Sequence, residues 1–189
     1  IAAQQAFIGA ALTIVLLVVT RRLLPDRHRS AKHARRRPLL RRPRAPQARL
    51  VVLGVSAIFA LMAEGAVADW SAVLLREHLG VPGSRAGFAY AAFCVTMTGG
   101  RFTGDRLVHL LGRGRCLTAV ALIGAVGLGL GLAGDDFATI VTGFALLGVG
   151  LSIMVPVLYS TAADTDGPSG PAIAAVAALG CGGLLIGPS

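Results

Sequence analysis

Apolar runs about twenty residues long recur along this chain, and that is the length a helix needs to cross the hydrocarbon core of a bilayer. They cover about 1–20, 50–75, 86–107, 116–133, 137–162 and 171–189. Backbone polar groups in lipid must be satisfied within the spanning element, so repeated runs of this kind predict an all-α, polytopic transmembrane helix bundle. Composition agrees, with 54% hydrophobic and 14% charged residues. The organisation that follows is a partial transmembrane helix over 1–20, a basic segment over 21–49 and a helical membrane domain over 50–189. Ile1 and Ser189 both fall inside apolar runs, so the sequence reads as an internal piece of a longer chain.

The charge is local. Of 18 Lys and Arg, 12 lie between Arg21 and Arg49, so the net charge of +9 does not describe the whole surface. Short loops rich in Lys and Arg stay on the cytoplasmic side. With helices alternating, 21–49, 108–115 and 163–170 share that side, and 76–85 and 134–136 share the other. The basic segment is broken by Pro25, Pro38, Pro43 and Pro46. It is read as a solvated topology anchor and linker, with contact to anionic lipid as a by-product and no nucleic-acid partner.

Polar groups inside a span are costly, so each one calls for a partner or a water-filled cavity. Glu64 falls near the middle of its run, and Asp69 stands about 7.5 Å further along the helix. At about 100° per residue the two lie some 140° apart, while Ser71 returns to the face of Glu64. Two readings stand for Glu64. It can be a proton carrier or substrate ligand, since desolvation favours the neutral carboxyl, or a permanently ionised group paired with an Arg on a neighbouring helix. Asp69, beside Trp70, lies nearer the mouth, where a structural role is favoured.

In the next run Tyr90, Cys94, Met97, Arg101 and Asp105 form one helical stripe, which should face the protein interior or a cavity. Arg101 and Asp105, at i and i+4, can neutralise one another near the cytoplasmic interface. Gly99, Gly100 and Gly104 allow a close neighbour. Small-residue spacings recur at Gly127 with Gly131 and at Gly183 with Gly187, and Pro156 should kink the fifth run. Cys94, Cys116 and Cys181 read as packing residues. The four His residues form no HExxH arrangement and no GxxxxGK[ST] loop occurs, so neither an enzyme, a metal site nor a cofactor is expected.

A span ending in basic residues, a long basic loop, a helix carrying AEGAVADWSAVLL and then GGRFTGDRLVHLLGRGR between two helices together resemble the second half of a major facilitator superfamily transporter. The resemblance numbers the runs as helices six to eleven of twelve, the last carrying Gly183, Gly187 and Pro188. It implies that Gly104, Asp105, Arg106, Gly112, Arg113 and Arg115, with Arg101, form a cytoplasmic gating motif. Here Leu107 to Leu111 intervene where the family's second glycine stands closer to the Asp-Arg pair. The segment Glu64 to Ala72 is similar to a bacterial inner-membrane subgroup near the fucose-permease branch.

What this implies is a secondary transporter in the inner membrane of a bacterium, moving a sugar-like or other polar solute by alternating access, with protons as a coupling ion. Glu64, Asp69, Trp70, Ser71 and Tyr90 are its transport candidates, and an N-terminal half of the same chain is an implied partner. The alternatives are a drug or metabolite exporter and a non-transporting receptor or scaffold whose basic loop binds an acidic partner.

Overall fold

The computed structural model describes residues 45–164 and 169–186. The run 1–20, most of the basic segment 21–49, and Gly187 and Pro188 lie outside the described residues. Among the described residues seven helices follow in order: α1 (Ala45–Leu79), α2 (Gly83–Ala86), α3 (Phe88–Leu111), α4 (Arg113–Ala133), α5 (Phe137–Ser152), α6 (Met154–Ala163) and α7 (Ser169–Ile186). No strand occurs among the described residues. Among the described residues three segments are long and apolar enough to cross a membrane, Arg49–Leu79, Arg113–Ala133 and Phe137–Ala163; the 169–185 helix is apolar but shorter, and α3, over the expected third run, is not among the three.

Helix ends follow local chemistry. α1 stops at Gly80, whose φ of +63° is open to glycine at little cost, and the Gly80 and Val81 N–H groups donate back to the carbonyls of Arg76 and Leu75. α3 runs on to Leu111, four residues past the expected exit, because Val108, His109, Leu110 and Leu111 continue the helix until Gly112 turns the chain at φ +78°. The fifth run is one span by length but two helices by hydrogen bonding. Pro156 has no N–H for the carbonyl of Ser152, and the helix breaks at Ile153, between α5 and α6.

The helices form two packed groups. α5 lies against both α3 and α4, and α1 lies along α7; α6 touches α7 and α1, and α1 also touches α3 and α5, so the two groups are joined. Phe93, Val120 and Ile140 are almost fully buried in the first group, as are Leu53, Leu75 and Val176 in the second. The α4 and α5 backbones nearly touch. A Cβ on Gly127 would stand 2.5 Å from Leu147 N, and one on Gly150 2.6 Å from Gly124 N. Gly131 is buried against Phe144, and Gly183 sits on α1 with Ile58 Cα 2.8 Å from where its Cβ would be.

Asp136 caps α5 through its carboxylate, which accepts from the Thr139 N–H and hydroxyl. Those bonds, the hydroxyl first, hold the carboxyl below the usual carboxylate range. A depressed folded pKa stabilises the fold above the unfolded value and is lost as pH falls through the folded one. Asp136→Ala should therefore lower the melting temperature at neutral pH. The gap to wild type should close in acid, and a gap independent of pH would show that the cap is not the cause.

Candidate functional site

Glu64 sits midway along Arg49–Leu79, and the guanidinium of Arg101, near the middle of α3, approaches it from the neighbouring helix, Nη2 to Oε2 at 3.8 Å. The contact is an ion pair without a hydrogen bond. The Arg101 side chain is 49% exposed and that of Glu64 32%. Its other neighbour is the thioether of Met97, one turn back, at 3.9 Å.

Two expectations are corrected here. Arg101 does not pair with Asp105 along its own helix, because helical side chains lean toward the N-terminus, which carries Arg101 toward Met97 and away from Asp105. Nor does the helix end at Leu107, six residues past Arg101, since α3 continues to Leu111. Asp105 and Arg106 are exposed and make no ion pair among the described residues.

Along α1, Asp69 and Trp70 are exposed on the face turned away from the packed core, whereas Ser71, near the Glu64 face, is fully buried with its hydroxyl unpartnered among the described residues. Tyr90 stacks on Phe93, ring centroids 6.4 Å apart, and its phenol lies beside Cys94. The structure thus brings Glu64, Arg101 and Met97 together, with Tyr90 and Cys94 further along the same stripe. It leaves Asp69 and Trp70 outside that contact.

The motif between α3 and α4 is spread over two neighbours. Gly104 is buried under Ile153, whose Cγ1 would stand 3.1 Å from a Cβ, so the motif glycine marks the α5/α6 break. Arg113, just past Gly112, forms an ion pair at 2.5 Å with Asp164 at the end of α6, and Arg115 is exposed. At the opposite end His78 lies 3.8 Å from Asp135, tying the end of α1 to the turn before α5. Neither pair was anticipated, though the alternation of helices had put each pair's members at one end.

Reasoning from sequence also missed two contacts across α3 and α5, one a hydrogen bond and one a close fit. The Thr96 hydroxyl donates to the carbonyl of Ala145 at 2.7 Å, and Gly100 admits Ser152, whose Cβ would be 2.6 Å from a Cβ at Gly100. The available signal was Thr96 and Gly100 at i and i+4 on the glycine-bearing face.

A sequence profile of the Major Facilitator Superfamily matches residues 4–188. An uncharacterized MFS-type transporter of Yersinia pestis is 37% identical over 145 residues, covering 76% of this chain and 38% of its own length. An uncharacterized transporter of Sinorhizobium fredii is 33% identical over 144 residues, with coverage of 76% and 38%. Membrane protein MosC of Rhizobium meliloti is 31% identical over 180 residues, covering 92% of this chain and 42% of MosC. The chain thus spans about two fifths of the length of these curated relatives. No solved structure matches. A match over nearly the whole sequence, to a helical bundle with apolar spans, establishes that the chain belongs to the Major Facilitator Superfamily.

Proposed function

We propose that the intact protein is a secondary transporter of a bacterial inner membrane, moving a small polar solute by alternating access with Glu64 as the group that carries a coupling proton. The observation that carries transport is Glu64 at the middle of Arg49–Leu79 with Arg101 of α3 beside it; a proton on Glu64 requires this contact, long and without a hydrogen bond, to open during the cycle. A guanidinium half exposed at that depth is not stable against lipid tails, so its open side calls for a water-filled cavity, and ionisable groups at such places mark ion and substrate paths. The names of the Yersinia and Sinorhizobium relatives support transport. A first half of the same chain would supply the other wall of the cavity, with the two halves rocking about the site.

The basic segment 21–49 and the Arg113 end are cytoplasmic in this reading, as the positive-inside rule requires. A sugar-like solute follows from the subgroup resemblance, and Trp70, Tyr90 and Tyr159 offer ring faces and phenols for it. Proteoliposomes holding the intact protein and a trapped pH indicator test the proposal with inward gradients of labelled hexoses and polyols. Solute entry with acidification of the lumen is expected for at least one of them. Entry without acidification would remove proton coupling, and no movement of any of them would remove this substrate class.

A further inference from the structure

We infer that Asp69 and Trp70 form a subsite for a positively charged group, so that the small polar solute proposed above bears an ammonium. The inference rests on the transport reading and adds to it the charge of what is carried.

Depth and isolation of the carboxylate carry it. Glu64 is midway along Arg49–Leu79, and Asp69 stands about 7.5 Å further out, where half the hydrocarbon thickness of a bilayer is about 15 Å. Asp69 therefore lies within the hydrocarbon layer, and a carboxylate there needs a cation or a water-filled cavity. Its own helix offers no cation within reach. The positions one turn to either side, Gly65, Ala66, Ala72 and Val73, are uncharged, and Arg76 is two turns on, about 10.5 Å along the axis. The packed helices offer none either: Asp69 is exposed and makes no ion pair among the described residues. Arg101, the cation at mid-span, is held by Glu64, some 140° round the helix from Asp69. Glu64 and Arg101 cancel one another, and the charge of Asp69 is left over.

The surroundings suit an occupant that comes and goes. Trp70, the next residue, is 39% exposed, and an indole ring is the side chain whose face attracts a cation most strongly. Ala66 and Ala72 flank Asp69 with nothing beyond a methyl group, so the carboxylate stands clear of its own helix. A carboxylate beside an indole recognises an ammonium through a charge-assisted hydrogen bond and the ring's quadrupole. A neutral polyol does not serve equally well. When the cavity closes round the solute and water leaves, a neutral occupant would strand the Asp69 charge without compensation, whereas an ammonium neutralises it.

The test uses the intact protein in detergent and pairs of solutes matched except in charge: glucosamine with glucose, galactosamine with galactose, and choline with its neutral tert-butyl isostere. Binding is read by titration calorimetry in mildly acidic buffer, where the amines are protonated. In at least one pair the ammonium member should bind about 10- to 100-fold more tightly than its neutral partner. Asp69→Asn should bring that ratio close to unity, and Asp69→Glu, which keeps the charge, should retain a preference. Trp70→Leu, which alters no charge, should lower the ratio about 2- to 10-fold. Equal binding within every pair, no binding by any solute, or a preference that survives Asp69→Asn would overturn the proposal. So would a lower melting temperature of solute-free Asp69→Asn with the ratio unchanged, the signature of a cation from the first half of the chain holding Asp69. Because binding needs no gradient, the two readings fail separately. Proton-coupled entry of neutral hexoses without an ammonium preference would remove the subsite alone, and ammonium binding without solute movement would remove transport alone.

Discussion

Replacing Gly143 by leucine is expected to abolish the folded protein. A Cβ there would press on the Gly131 backbone nitrogen and lie 2.6 Å from Gly131 Cα and 2.7 Å from the Gly127 carbonyl oxygen. These are backbone atoms, which cannot rotate aside, so α4 and α5 must separate. Separation also undoes the close approach of Gly150 to Gly124 and of Gly127 to Leu147. Overpacking typically costs about 1–3 kcal/mol where side chains can adjust; with backbone on both sides, the cost should exceed that range. Even Gly143→Ala should lower the melting temperature measurably. The opposing term is the better helix propensity of alanine, about 1 kcal/mol, and it should win at Gly129, where nothing lies within 4 Å of the added carbon. Thermal unfolding of the three variants in detergent checks this. Equal melting of wild type and Gly143→Ala would mean that the two helices do not pack this closely.

Glu64→Gln is expected to bring accumulation driven by a pH gradient down to background while solute exchange continues. An amide can hydrogen-bond but cannot cycle a charge. The obvious confounder is unfolding, since removing one partner of a buried pair costs about 3–5 kcal/mol. The pair here is half exposed on the Arg101 side, so the relevant scale is the surface one, about 1 kcal/mol or less. Folded yield should therefore stay near wild type, and uptake with and without a pH gradient can be compared directly. Undiminished accumulation against a gradient would take Glu64 out of the mechanism.

The sequence made the spans readable because their signal is local: twenty apolar residues, a glycine or proline at the turn, cations at one end. Pro156 identified the disturbed span, and the break falls where its missing N–H would have met the Ser152 carbonyl. Boundaries were harder. The third run was expected to end at Leu107 with 108–115 as a loop, yet Val108, Leu110 and Leu111 keep it helical up to Gly112. That extension leaves four more helical residues beyond Arg101 than expected. That Glu64 would meet an Arg of a neighbouring helix was one of its two readings, but which Arg was illegible, since the i+4 rule sees neighbours within a helix and only the relative height of α1 and α3 selects Glu64 over Asp105. Ser152 beneath Gly100 and Ile153 over Gly104 were hidden in the same way, as contacts that exist only once α5 has its place beside α3.

The break at Ile153 also has a mechanical meaning. α5 is held by α3 and α4, α6 by α7 and α1, and the chain passes from one group to the other within a single span. A helix resists bending through its ladder of backbone hydrogen bonds, and the rung between Ser152 and residue 156 cannot form. The span is therefore most compliant where it changes companions. If α1 and α7 are displaced against α3, α4 and α5, the strain should collect around Ile153, beneath Gly104, leaving the helices on either side straight.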